Sequence, residues 1–258
     1  MIESLHSPHV VRVKALLSSK KDRTESKLFI AEGIQGVREA LLIEGEVETL
    51  YLTKSGTERM NKAGIDLSAV NVVEVSEKVA DAMSDAITSQ GIVAICRMMI
   101  QGAETLETLA ASHVIYLNEI QDPGNAGTIL RTADAMGISA VVTSPGSVDF
   151  YSPKVVRSTA GSLWHIPVYS GIEISELRKS LPTHNVYLLD GAGDKSLFDV
   201  DFKNPAIWIF GNEARGLKEG TEDLKGATRI SIAMPGKAES LNLAAAAAIV
   251  MHEISRGR

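Results

Sequence analysis

The sequence predicts two α/β domains in tandem, a small α/β sandwich followed by a larger domain built on a parallel sheet. Strand-like and helix-like segments alternate along the chain. In the second half the strand-like runs are almost wholly apolar, the mark of strands covered by helices on both faces. Between the halves, residues 99–112 (MIQGAETLETLAAS) lose the strand pattern and turn polar. The expected boundaries are therefore a first domain over 1–98, a linker over 99–112 and a second domain over 113–258.

The first domain reads in order. SPHVVRVKALLSS is a helix with Ser7 as its cap and Pro8 in its first turn, where a missing N–H costs nothing. KLFIAEG is a short strand, and IQGVREALLIEG is a helix closed by Gly45. VETLYLTK is a strand rich in β-branched and aromatic residues. ERMNKAG, VNVVEVS, SEKVADAMSDA and QGIVAICRMM continue the alternation, for about four strands in all.

The second domain opens with the strand HVIYLNEI, which runs into a Gly/Pro loop and the helix DPGNAGTILRTADAMG. Strand ISAVVTS, turn PGSVD and the helix-like PKVVRSTAGSL follow. Strands NVYLLDG, AIWIFGN and RISIAMPG complete the series before an Ala-rich terminal helix.

Composition narrows the class. Hydrophobic residues make up 45% and charged residues 22%, a globular balance that argues against disorder. No apolar run approaches the ~20 residues of a membrane helix, and MIESLHSPHV has no secretory pattern. Cys96 is the single cysteine, and the six histidines show no HxxxH or HExxH spacing. An internal disulfide is excluded and no metal site is expected. A reduced, cytoplasmic setting is the expectation.

The net charge is −6, which weighs against simple phosphate neutralisation of a nucleic acid. Charge is uneven, however. From Val11 to Lys27 six basic residues (Arg12, Lys14, Lys20, Lys21, Arg23 and Lys27) face two acidic ones, Asp22 and Glu25. A local basic arm on an acidic chain fits a protein that selects one RNA shape. It equally fits a solvated helix face.

Three loops of the second domain carry more polar residues than a turn requires. Each follows a strand, where an open parallel sheet binds its ligands. In the first, Gly124 and Gly127 flank Asn125 at a helix N-terminus, with Arg131 six residues on. The second, AIWIFGNEARGL, brackets Asn212, Glu213 and Arg215 between Gly211 and Gly216. In the third, a Pro-Gly turn at 235–236 leads to Ser240 and Asn242 before a helix of small residues. Taken singly, each is explained by helix capping. The GxGxxG spacing of a dinucleotide fold is absent, since 124–129 reads GNAGTI.

Together, in this order, NxxxxxR after a strand, FGNEARGL and IxMPGxxxSLNLAxAxxIVxxE resemble the three motifs of the SpoU (TrmH-like) family of knotted RNA ribose 2'-O-methyltransferases, over about residues 113–255. SPHVVRVKALL, KLFIAEG, VREAL and SQGIVAI look like the L30e-like substrate-binding domain that precedes the catalytic domain in many members.

The resemblance implies a deep trefoil knot in the second domain, a homodimer formed through it, and S-adenosyl-L-methionine as cofactor. It implies cofactor contacts from Thr143 and Ser144, from Phe210, Gly211 and Asn212, and from Ile232, Ala233 and Met234. Leu241 and Leu243 would lie beside the adenine. Arg131 and Asn125 match the family's catalytic pair. Arg131 is implied either as a phosphate clamp that orients the ribose or as an aid in removing the 2'-hydroxyl proton. Glu213 would hold that pair, and Ser240 and Asn242 would orient ribose or phosphate. Arg157 would reach RNA or the partner subunit.

The expected substrate is a structured RNA, ribosomal RNA first, because the additional N-terminal domain is often missing from minimal transfer-RNA members. A knotted enzyme acting on tRNA or on an RNA base keeps the fold, though the Asn125–Arg131 motif speaks against a base. An RNA-binding module of ribosomal type leaves FGNEARGL and MPGKAESLNLA unexplained.

Overall fold

The structure, a computed structural model, describes residues 1–212, 215–217, 224 and 226–257. The chain forms two compact units: residues 1–99 with 149–164, and residues 100–148 with 165–258. The sequence boundaries follow chain order, whereas the units do not, because residues 149–164 pack among those of the first.

The first unit opens with α1 (Pro8–Ser18), capped as expected: Ser7 accepts the Val10 N–H and Pro8 opens the helix. A second helix, α2 (Lys20–Ser26), starts at its own cap, where Ser19 accepts the Asp22 N–H. It ends at Lys27 in the left-handed conformation, φ 56°. Strand β1 (Leu28–Glu32) then enters α3 (Ile34–Leu41). Gly45 was the expected end of that helix, but α3 stops four residues earlier and Gly45, at φ 75°, reverses the chain into β2 (Val47–Leu52).

Next come α4 (Lys54–Lys62), β3 (Val72–Glu74), α5 (Glu77–Ala82) and β4 (Ile92–Arg97). Among the described residues the sheet has four strands in the order β1-β4-β2-β3, antiparallel except for β2 with β3. Val10, Val13 and Leu16 of α1 recur every third residue and pack on Leu28, Ile30, Val93 and Ile95. Residues 149–164 are secured to this unit by an aromatic cluster: the Phe29 ring lies 4.9 Å from Tyr151 and 5.9 Å from Trp164.

Residues 103–109, within the expected linker, form a 3-10 helix whose Leu106 and Leu109 are buried in the second unit's core. That unit contains β5 (Val114–Leu117), α6 (Pro123–Ala135) and β6 (Ala140–Thr143). The helix α7 (Pro153–Ser158) belongs to the first unit. The chain continues through β7 (Val168–Ser170), α8 (Ile174–Ser180), β8 (Asn185–Leu189), β9 (Lys195–Ser196), β10 (Ala206–Phe210), β11 (Thr228–Ser231) and α9 (Leu243–Arg256).

Among the described residues the second sheet has seven strands, all parallel, in the order β7-β6-β5-β10-β8-β11-β9. Every residue of β5, β6 and β10 is buried, which is why these segments read as unbroken apolar runs. Helix α9 buries Ala244, Ala247, Val250, Met251 and Ile254, a helical stripe, and packs along α6. That pairing brings the starts of two helices, and the polar loops before them, to the same place.

Candidate active site

Strands β10, β8 and β11 lie side by side, and the loops leaving their C-terminal ends enclose a cleft of about 550 Å³. Leu189, Phe210, Ile230, Ile232, Met234, Leu241 and Leu243 give it an apolar wall. Asn125, Asp190, Asn212, Glu239, Ser240 and Asn242 supply polar groups. Among the described lining residues none is a cation.

The start of α6 is built by Asp122, whose carboxylate accepts the Asn125 N–H at 2.7 Å. The start of α9 is built by Asn242, whose Oδ1 accepts the N–H groups of Ala244 (2.9 Å) and Ala245 (3.2 Å). Ser240 was a candidate cap for this helix, but the cap is Asn242. Because two backbone donors fix Oδ1, the other end of the amide must be Nδ2, and it donates to Asn125 Oδ1 at 3.1 Å. The amide orientation of Asn125 follows from that bond. Two polar side chains 117 residues apart in sequence are thus locked together at the cleft.

The loop after β10 is equally constrained. The Asn212 N–H donates to Gly216 O at 2.6 Å and the Gly216 N–H donates back to Asn212 O at 2.8 Å. A Cβ on Gly211 would lie 2.3 Å from the Gly216 carbonyl carbon, so only glycine allows this closure. The Asn212 side chain donates to Glu119 O at 2.8 Å, which ties the β10 exit to the β5 exit. Asp190, at the end of β8, accepts from Arg229 at 2.9 Å and from the Ala192 N–H at 2.9 Å.

These residues suit S-adenosylmethionine. The apolar wall can take an adenine ring. Asp190 is paired with Arg229, and the carboxylate of Glu239, with no cation among the described lining residues, favours a ligand carrying positive charge. The tight glycine loop brings backbone within reach of a ligand.

Of the residues singled out from sequence, Asn125, Ser240, Asn242, Phe210, Gly211, Asn212, Ile232, Met234, Leu241 and Leu243 line this one cleft. Thr143, Ser144 and Ala233 do not. Thr143 and Ser144 are buried at the end of β6, where Ser144 Oγ accepts the Glu119 N–H at 2.7 Å and so braces the β5 exit. Arg131 is exposed on α6, about 9 Å beyond Asn125 at the helical rise, and does not line the cleft. Glu213 lies outside the described residues. Gly216, the second glycine of the loop after β10, lines the cleft as well, while Leu189, Asp190, Gly191, Ile230 and Glu239 line it and were missed. The strand NVYLLDG ends in Asp-Gly, the same strand-to-glycine signal as the other loops, and could have found Asp190 and Gly191.

The basic arm divides. Lys14, Lys20, Lys21 and Lys27 are exposed, and Arg12 pairs with Glu48 at 2.5 Å. Arg23 does not belong with them. It is buried, donates to Leu16 O at 2.6 Å and holds Asp149 through Nε (2.9 Å) and Nη2 (2.7 Å). As it stands, its guanidinium is a fastener inside the first unit and unavailable to RNA. Arg157 is half-exposed but engaged with Glu32 at 2.5 Å and Asp85 at 3.2 Å. Among the described residues there is no group of three or more metal-ligating side chains, and no helix is long and apolar enough to cross a membrane.

Comparison with known proteins bears on this geometry. A profile of the SpoU rRNA Methylase family matches residues 112–252, and one of the MRM3-like substrate binding domain matches residues 8–94. The 23S rRNA (guanosine(2553)-2'-O)-methyltransferase RlmP of Bacillus subtilis is 34% identical over 250 residues, covering 92% of either chain. A 23S rRNA (uridine(2479)-2'-O)-methyltransferase of Streptomyces viridochromogenes is 30% identical, covering 95% of this chain and 88% of that one. Among solved structures, an AdoMet-bound rRNA methyltransferase from Sinorhizobium meliloti matches with a TM-score of 0.85 at 31% identity, over 99% of this chain and 97% of that one.

Proposed function

The chain belongs to the SpoU rRNA methylase family and is an S-adenosylmethionine-dependent RNA ribose 2'-O-methyltransferase, and we propose that its substrate is large-subunit ribosomal RNA. One observation carries this reading: the loops after β5, β10 and β11, far apart in sequence, converge on one cleft and are joined there by the Asn242–Asn125 hydrogen bond. The relatives named for 23S rRNA span nearly the whole chain, substrate-binding segment included, and that favours the ribosomal substrate.

When bound, S-adenosylmethionine supplies a methyl group on a positively charged sulfur. The chain's own work is to place a ribose oxygen opposite it. Asn242 accepts two backbone N–H bonds and donates to Asn125, so it orients Asn125. Asn125 and Ser240 then face the ribose. Arg131 serves as a bidentate clamp on a phosphate beside the target ribose, and the gain comes from orientation. Ser144 braces the β5 exit beside the cleft. The second unit carries the trefoil knot and pairs with a second copy, and the enzyme works in the cytoplasm.

The test uses purified protein, an unmodified 23S rRNA transcript and methyl-labelled S-adenosylmethionine. Label should enter the RNA, and alkali should fail to cleave at the labelled nucleotide because its 2'-oxygen is blocked. Label at a linkage that alkali still cleaves would mean a modified base and overturn the ribose assignment.

A further inference from the structure

The turn leaving β5 holds a residue whose backbone and side chain make different demands. Glu119 has φ 52°, the left-handed region that any residue with a Cβ enters at a cost and glycine adopts freely. The structural role of the turn rests on its backbone, since Glu119 O accepts from Asn212 Nδ2 and the Glu119 N–H donates to Ser144 Oγ. Glycine would make both bonds without strain. The side chain therefore needs its own explanation.

Its carboxylate lies 3.4 Å from the guanidinium of Arg215, and the two partners are unequally exposed: 18% for Glu119 and 72% for Arg215. The Arg215 N–H donates to Asn212 Oδ1 at 3.1 Å, and Gly216 follows at φ 68°. Asn212 and Gly216 on either side of it line the cleft, so Arg215 departs from the cleft's rim. The charged side chains described in the lining are acidic, Asp190 and Glu239. Arg229 nearby is committed to Asp190. An RNA strand entering here carries phosphates past the carboxylate of Glu239, and a cation at the rim offsets that repulsion.

We propose that Arg215 contacts a backbone phosphate of the substrate RNA at the mouth of the cleft, and that Glu119 is a positioning residue that holds the guanidinium there before RNA arrives. The proposal rests on the RNA methyltransferase reading. A guanidinium has five donors, so one carboxylate and one phosphate can be held at once. Restraining the long side chain in advance reduces the entropy lost on binding.

Steady-state methylation of a 23S rRNA transcript, filter binding of the same RNA and calorimetry with S-adenosylhomocysteine test this together. Arg215→Ala should raise the KM for RNA about tenfold, as for one charge-assisted hydrogen bond. It should flatten the slope of log K against log salt by about 0.7–0.9 and leave S-adenosylhomocysteine affinity unchanged. Glu119→Gly keeps both backbone bonds and removes strain, so Tm should hold or rise while the KM for RNA increases. Glu119→Gln should raise that KM as well. Combining Glu119→Gly with Arg215→Ala should be no worse than Arg215→Ala alone.

An ion pair that is merely structural predicts the reverse, a lower Tm with unchanged KM. A wild-type KM and salt slope in Arg215→Ala, or a wild-type KM in Glu119→Gly, would overturn the proposal. Should the wild-type protein transfer no methyl to RNA, the parent reading fails, and filter binding still scores Arg215 separately.

Discussion

The two units use polar side chains in opposite ways. In the first, charged groups act as fasteners: Arg23 is buried on Asp149, Arg157 bridges Glu32 and Asp85, and the buried carboxylate of Glu46 accepts Trp164 Nε1–H at 3.2 Å. In the second, the cleft is organised by uncharged amides, Asn125, Asn212 and Asn242, which bond to one another or to backbone. In the first unit a buried charge is thus a poor guide to where ligands bind. Small polar residues in glycine-containing strand exits are a better one, because a ligand can approach backbone there.

The contrast breaks at Arg131, a charged residue assigned to chemistry although it lies outside the cleft lining. Arg131→Ala should lower methylation by at least about 100-fold, the usual loss for one transition-state donor. Calorimetry should show S-adenosylhomocysteine affinity within a few-fold of wild type. A variant that turns over at near wild-type rate would remove Arg131 from the mechanism and leave the amides alone at the site.

A second change tests the glycine loop itself. In Gly211→Ala the new Cβ meets the Gly216 backbone at 2.3 Å, so the loop must move. Cofactor affinity should fall by at least about tenfold, equal to 1.4 kcal/mol. Gly191 lines the same cleft, but a Cβ there meets nothing within 4 Å, and Gly191→Ala should leave Tm unchanged. Equal losses in the two variants would mean that cleft volume matters, not loop closure.

These differences explain what could be read from the sequence. The strands β5, β6 and β10 were legible because burial on both faces writes an unbroken apolar run. The cleft loops after β5, β10 and β11 were legible because each carries its glycine and its polar residue within a few positions, whereas the Asp190–Gly191 exit of β8 has the same signal without a longer motif around it. Strands β7 and β9, of three and two residues, are too short to show any period. Arg23 looked like its neighbours because nothing local distinguishes it. Its partner, Asp149, lies 126 residues away. Residues 149–164 joined the first unit for the same reason, through contacts that no local pattern announces.

Arg23 and its exposed neighbours separate the two uses of charge within one segment. Arg23→Ala should destabilise the protein by about 3–5 kcal/mol, because it leaves Asp149 uncompensated in a largely buried position. Lys20→Ala with Lys21→Ala should leave Tm within error. If those lysines touch phosphates, the pair should flatten the salt slope of RNA binding by about 0.7–0.9 per contact. An unchanged slope would make them a solvated helix end. A small Tm change in Arg23→Ala would contradict the fastener role read from the geometry.

The smallest effect concerns Glu46, the fastener that carries its own penalty. Burial raises its pKa above the ordinary carboxylate value, while the hydrogen bond from Trp164 and the charge of Arg97 only partly oppose this. Between the unfolded pKa and the raised folded one, the unfolded chain loses this proton first. The folded state then binds more protons, and its stability falls as pH rises through that window. Glu46→Gln keeps an oxygen for Trp164 Nε1–H and has no proton to lose. Its Tm relative to wild type should therefore increase as pH rises from 4 to 7, and level off once the folded carboxyl has ionised. Melting curves of the two proteins at several pH values measure this directly, since every other carboxylate is common to both and cancels. A difference that stays flat would mean that Glu46 is solvated in the folded protein. One that turns against Glu46→Gln with rising pH would mean that its attraction to Arg97 outweighs its burial, and that charge in the first unit fastens at no penalty.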